Sequence, residues 1–222
     1  MAAESITDIA ARIRLVKETR QKSKGSQAQK AAELPHRFVY APHRDGTCIL
    51  LPQHFSERRR YVTVGLLDGR GQLIANSASA IYGATLVDFA VLSSRLHLTW
   101  IDAVCGKLET RYRYSNTLGW NTFPVPLLTE QNKADLTACA EAILLAREAH
   151  FPATIADLYA PDSMPDNLRH AHERNDEVLE RIYIGRRFKN DTERLEKLFD
   201  LYTKMTANTG KAASKTARGK SA

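Results

Sequence analysis

The side chains best placed to do chemistry are cationic. Lys107, Glu109, Arg111 and Arg113 alternate with Leu108, Thr110, Tyr112 and Tyr114. In an extended chain alternate side chains share a face, which would gather three cations and one carboxylate. Arginine offers two donors to the O6 and N7 acceptors of guanine, and a carboxylate accepts from the amino group of cytosine. Glu109 with Arg111 could therefore address both bases of one G·C pair. The same alternation also describes a solvated strand face, and spacing alone leaves both readings open. A second cluster, Arg58-Arg59-Arg60 after Ser56-Glu57, suits phosphate contact and equally suits a solvated turn.

Signatures of catalysis are missing. The chain has no G-x-x-x-x-G-K-[ST] loop, no G-x-S-x-G elbow, no G-x-G-x-x-G fingerprint and no H-E-x-x-H pair. His170 and His172 lie two apart, so on a helix they diverge and a shared metal is not expected. Cys105 with His97 or His54 as base is open on residue types, beside the plainer reading of a small, partly buried thiol. No catalytic residue and no metal ligand is assigned.

These clusters need elements to hold them. The chain has 222 residues, 43% hydrophobic and 26% charged, which suits one ordinary domain or two small ones. No apolar run approaches the roughly 20 residues of a membrane span, and the N-terminus lacks a secretory pattern. Three cysteines without a CxxC pair suit a reducing cytosol, so a cytoplasmic protein is expected. The net charge of +7 is uneven: +3 over 1–33, +4 over 34–126, −4 over 127–205 and +4 over 206–222. A basic block beside an acidic one suggests two modules, one of which meets a polyanion.

The spacing of Ile6, Ile9, Ala10, Ile13 and Val16 predicts a helix over 5–22, followed by a linker. From 34 to 126 the texture is mostly strand: Arg37–Tyr40, Cys48–Leu51, Tyr61–Leu66, Gln72–Asn76 and Thr85–Leu92, with a hairpin-type turn at Asp68-Gly69-Arg70-Gly71. A helix is expected over Ser93–Val104 and a loop after it. Beyond Pro126 the pattern is helical. Thr129 reads as an N-cap, Ser163-Met-Pro-Asp has capping-box spacing with Pro165 in the first turn, and Asp191 opens a last helix. From Ala207 the small and basic residues read as a disordered tail. The expected fold is α+β: an N-terminal helix and linker (1–33), a mixed, strand-rich domain (34–127), a small α-helical bundle domain (128–206) and a basic tail (207–222).

An ordered series of motifs now carries a resemblance. It comprises Leu51-Pro-Gln-His-Phe-Ser-Glu-Arg-Arg-Arg-Tyr-Val, Phe89-Ala-Val-Leu-Ser-Ser-Arg-Leu-His-Leu-Thr-Trp, Cys105-Gly-Lys-Leu-Glu-Thr-Arg-Tyr-Arg-Tyr-Ser and Trp120-Asn-Thr-Phe-Pro-Val-Pro. Ile155-Ala-Asp-Leu-Tyr-Ala-Pro-Asp-Ser-Met-Pro-Asp-Asn-Leu-Arg-His-Ala-His and Arg194-Leu-Glu-Lys-Leu-Phe-Asp-Leu-Tyr continue it. Over about residues 12–206 the series resembles the target-recognition and helical C-terminal domains of MmeI-like type IIL restriction–modification proteins and related DNA adenine methyltransferases. The resemblance implies base readout by Glu109, Arg111 and Arg113, with Asn76-Ser77 as a second specificity-setting stretch. On this reading Arg58, Arg59, Arg60, Arg95 and Lys107 would anchor phosphates. Residues before Leu34 resemble the end of a methyltransferase domain.

The family's N-P-P-Y motif, glycine-rich cofactor loop and nuclease motif are absent from the 222 residues, and Trp120-Asn-Thr-Phe-Pro varies a more usual Tyr-Asn-Asn-Phe-Pro-Trp-Pro run. The expectation is a double-stranded DNA recognition module for an S-adenosylmethionine-dependent adenine methyltransferase, with no cofactor in this chain and no membrane. The cofactor would belong to a methyltransferase domain or chain acting as partner, so this chain alone is expected to be inactive. The alternative is an assembly subunit whose acidic helical region docks on a separate methyltransferase chain and which meets DNA only in that complex.

Overall fold

α1 (Thr7–Gln21), α2 (Ser26–Lys30) and a 3-10 turn (Ala31–Glu33) open a computed structural model that describes residues 6–39 and 42–218, with side chains described to residue 207. They belong to a compact unit of residues 1–44. The expected helix forms, but its apolar stripe is not buried: no α1 residue is, and Ile6, Ile9, Leu15 and Val16 are exposed. The Arg20 guanidinium donates to the carbonyls of Ala31, Leu34 and Arg37 at 2.9, 3.0 and 2.7 Å, closing the segment on itself.

Residues 45–222 form the second unit. β1 (Thr47–Pro52) lies between β3 (Gly65–Asp68) and β4 (Ala78–Tyr82), antiparallel to both. A turn does form after Asp68, with Gln72 N–H donating to Gly69 C=O at 3.2 Å. It does not make a hairpin, because β4 crosses to the far edge of β1, whose Cys48, Ile49 and Leu51 are fully buried in the centre. Described residues of Arg37–Val39 and Gln72–Asn76 are not strand, and Tyr40 lies outside the described residues.

Thr85–Leu92, expected as strand, is instead α3 (Leu86–Leu92). Thr85 Oγ1 accepts from Asp88 N–H while the Asp88 carboxylate accepts from Thr85 N–H, and this reciprocal cap outweighs the β-branched composition. α4 (Arg95–Val104) follows, capped by Ser94. β5 (Gly106–Leu108) and β6 (Arg111–Arg113) join the short β2 (His54–Phe55) in a second antiparallel sheet, ordered β2-β6-β5. A π-helical turn, Asn116–Trp120, comes next.

Four helices complete the chain: α5 (Glu130–Glu148), α6 (Ile155–Leu158), α7 (Asp166–Ile184) and α8 (Asp191–Arg218). Thr129 caps α5 as expected, accepting from Asn132 N–H at 3.1 Å. Ser163 caps nothing: Pro165 itself is the N-cap of α7, in extended conformation, so Pro165 stands just outside the first turn. α8 stays helical to Arg218, past Ala207 where a disordered tail was expected; alanine and lysine there are good helix formers. Residues 219–222 of that tail lie outside the described residues.

The fold is α+β, with small antiparallel sheets ahead of a helical region. One hydrophobic core crosses residue 127, joining Phe89, Leu92, Trp100 and Ile101 to Leu136, Ile143, Leu168, Leu179 and Leu198. Among the described residues no helix is long and apolar enough to cross a membrane.

Candidate nucleic-acid interface

The chain changes sheets at Gln53 to build the candidate interface. At Pro52, β1 still pairs with Ala78 of β4; at His54 the chain pairs with Arg113 of β6. Gln53 is the joint: its N–H donates to Ser77 C=O at 3.0 Å and its C=O accepts from Tyr114 N–H at 2.8 Å. The exposed turn holding Asn76 and Ser77 and the strand holding Arg111 and Arg113 are thus fixed to one residue. Gln53 ties Ser77 to Tyr114, next to Arg113, although more than thirty residues separate the two stretches in sequence.

The stretch expected to read bases is not one strand. Glu109 has φ of 58°, and Glu109-Thr110 forms a two-residue turn between β5 and β6. Arg111 faces Leu108, Tyr112 faces Lys107, and Arg113 faces both Gly106 and His54. Residues opposed across a sheet share a face, and successive rows alternate. Arg111 and Arg113 therefore keep a common outward face, as expected. Lys107 does not join them: the turn shifts its parity and puts it on the inward side with Tyr112 and Phe55. There its Nζ is 2.8 Å from Asp102 and 5.6 Å from the Tyr112 ring centroid, and the hydrogen bond to Asp102 raises the lysine pKa.

The outward face consists of His54, Leu108, Arg111 and Arg113, all exposed. Arg111 donates from Nη2 to Glu109 Oε2 at 2.9 Å, and Arg113 has no ion-pair partner among the described residues. The inward face anchors the sheet: Phe55 and Tyr112 are buried, with ring centroids 5.1 Å apart. Tyr114, next to Arg113, is buried against His97, its hydroxyl 3.4 Å from Nε2. Gly119 of the π-helical turn is a matter of space: a Cβ there would lie 2.9 Å from Tyr114 Cε2 and 3.3 Å from Cys105 Sγ. The Cys105 thiol is pushed up by burial and His97 is held down to about 3 by burial, the reverse of what a nucleophile and base require.

The other expected phosphate contacts are arranged differently. Arg58 pairs with Asp162 at 3.0 Å, and Arg60 lies 3.9 Å from Glu173. Arg95 donates through two nitrogens to Asp191, and its backbone N–H donates to Asp176 Oδ1 at 2.7 Å. Arg59, half-buried, has no ion-pair partner among the described residues. Beyond the run, Tyr61 stacks on buried His172 (centroids 4.1 Å apart) and donates to Asp176 Oδ2 at 3.1 Å. Arg194 donates to fully buried Glu180 at 2.8 Å and to Asp191 at 2.8 Å. Of these groups Arg60, Tyr61, Arg95, Glu173, Asp176, Asp191 and Arg194 line a cleft of about 680 Å³ with Arg187 and Asn190. Its lining sets four arginines (Arg60, Arg95, Arg187 and Arg194) against three carboxylates (Glu173, Asp176 and Asp191), and burial pushes Asp176 up to about 7, against the lowering effect of the Arg95 N–H.

Of the residues in the outward face, sequence reading missed Leu108 and considered His54 only as a ligand or base. Nothing in the spacing could reveal them, because their place depends on the strand switch at Gln53 and the turn at Glu109.

The chain matches two family models, described as MmeI, target recognition domain, over residues 1–127, and MmeI, C-terminal domain, over residues 128–209. The first takes in residues 1–33, which the motifs associate with the end of a methyltransferase domain. Over 195 residues the chain is 39% identical to DNA methyltransferase A of Bacillus subtilis (strain 168), covering 88% of this chain and 22% of that protein. It also resembles a solved structure of the type IIL restriction-modification enzyme MmeI in complex with DNA, with a TM-score of 0.80 and 35% identity, covering 90% of this chain and 26% of that one. The chain thus spans about a quarter or less of the length of these relatives.

Proposed function

The chain belongs to the MmeI family, as its target recognition and C-terminal domains, and on that premise we propose that it reads the sequence of double-stranded DNA for an adenine methyltransferase. The observation that carries this reading is the outward face of β2-β6-β5. It holds two arginines on β6, the central strand, Arg113 without an ion-pair partner among the described residues, with every side chain exposed. Beyond the two-residue β2 the β5–β6 tip that carries Leu108 and Arg111 is a two-stranded ribbon, which fits the major groove, where base pairs present distinguishable patterns.

In this reading Arg113 donates to guanine, while Glu109 and Arg111 address the two bases of one G·C pair. The Glu109–Arg111 pair is exposed, so exchanging it for base contacts costs little. Asn76 and Ser77, exposed on the turn tied to Gln53, supply donors and acceptors beside the ribbon. Arg59 is the phosphate contact that the geometry favours. Arg58 and Lys107 reach phosphate by exchanging exposed carboxylates, and Arg60 lies at the edge of the cleft. Arg95 is held within the charge network and serves the fold. Methyl transfer, and S-adenosylmethionine with it, belongs to a methyltransferase domain or chain acting as partner. The relatives' greater length supports that assignment.

The experiment is selection of bound duplexes from a randomised library by the full chain at two salt concentrations. An enriched motif that loses one base-pair preference in Arg111→Ala supports the reading. Retention of that preference would refute the assignment of readout to Arg111.

A further inference from the structure

Resting on the DNA-reading role above, we infer that Leu108 contacts the C5-methyl group of a pyrimidine, making methylated C5 part of what this chain recognises. Cross-strand register places Leu108 directly opposite Arg111, on the face whose other side chains are His54, Arg111 and Arg113. The inward row, Phe55 and Tyr112, already seals the core, and Leu108 remains 46% exposed at the tip of the ribbon. It therefore adds nothing to the packing beneath the sheet.

Three of the four outward side chains can exchange hydrogen bonds with base edges, whereas leucine can gain only by leaving water. The floor of the major groove offers one apolar group for that purpose, the thymine methyl, and 5-methylcytosine presents the same group at the same atom. The turn at Glu109-Thr110 fixes Leu108 and Arg111 side by side, so the methyl belongs to a pyrimidine next to, or paired within, the step that Arg111 reads. Gly106, two rows back on the same face and opposite Arg113, has no side chain to hold the ribbon away from the groove, and a Cβ there would meet nothing within 4 Å.

The test uses the full chain and the duplex that it enriches from the library. Each thymine in turn is replaced by deoxyuridine, and each cytosine by 5-methylcytosine, and binding is measured by competition. Losing one buried methyl corresponds to about fourfold in affinity. We expect one pyrimidine, beside the base pair that relaxes in Arg111→Ala, to show a methyl preference of that size. Leu108→Ala should abolish it and leave the other positions unchanged. A site indifferent to every C5 substitution, or a methyl preference that survives Leu108→Ala, overturns the inference while the reading of the face stands. A wild-type chain that enriches no sequence overturns that reading and this inference together.

Discussion

Arg111 and Arg113 stand in solvent on a strand face, whereas Arg194 is held by fully buried Glu180 of α7, with Arg95 linked to it through part-exposed Asp191. The residue type is the same, and the surroundings decide its use. A guanidinium held by a buried carboxylate cannot be recruited to DNA without leaving that carboxylate uncompensated, which costs several kcal/mol. An exposed pair such as Arg111–Glu109 contributes little and exchanges readily. On the proposed reading, a positive charge marks a DNA contact only where its ion pair is exposed or it has none among the described residues.

The contrast breaks most visibly in the cleft. Arg194→Met should lower unfolding stability by about 3–5 kcal/mol, because Glu180 is then buried without its main partner. Urea denaturation measures this, and a loss below about 1 kcal/mol would mean that the network does not hold the fold.

Acid sharpens the same point. His97 and His172 are both held down to about 3 chiefly by burial, and Asp176 is pushed up to about 7. Between about pH 4 and 6.5 the unfolded chain takes up two histidine protons that the fold refuses, while the fold keeps one on Asp176 that the unfolded chain has lost. For these three groups stability rises with pH by about 1.4 kcal/mol per unit, and Asp176→Asn, which removes the opposing proton, should steepen this to about 2.7. Denaturation series at several pH values follow the slope, and an unchanged slope would place the Asp176 proton elsewhere.

On the open face the effects move from stability to recognition. Arg113→Ala should cost about 1–3 kcal/mol in binding and relax one base-pair position, with stability unchanged within about 0.5 kcal/mol. Competition binding and thermal melting together check both halves. Asp162→Asn should do least: with its exposed partner neutralised, Arg58 is freed, and affinity for every duplex should rise by less than about 1 kcal/mol. An affinity gain confined to one sequence would show Arg58 reading bases.

The elements legible in the sequence were those coded locally. Thr129 announces α5 by its side chain, and the spacing around Trp100 announces α4. Thr85 was misread because the β-branched texture of its segment hides the cap it shares with Asp88. For the site, the alternation of Arg111 and Arg113 was informative. The parity of Lys107 was not, since the two-residue turn at Glu109-Thr110 reverses it. Nor could spacing show which arginines are already neutralised: Asp162, Glu173 and Asp191 reach Arg58, Arg60 and Arg95 across roughly a hundred residues. Those pairings belong to tertiary structure, and they decide which cations remain free.

Amide hydrogen exchange of the full chain, with and without its enriched duplex, bears most directly on the division between the open face and the cleft. Protection on binding should concentrate in residues 106–113, at His54 and at Asn76-Ser77, with 185–194 unchanged. Protection centred on 185–194, with the β5–β6 ribbon exchanging as it does in the free protein, would contradict the account.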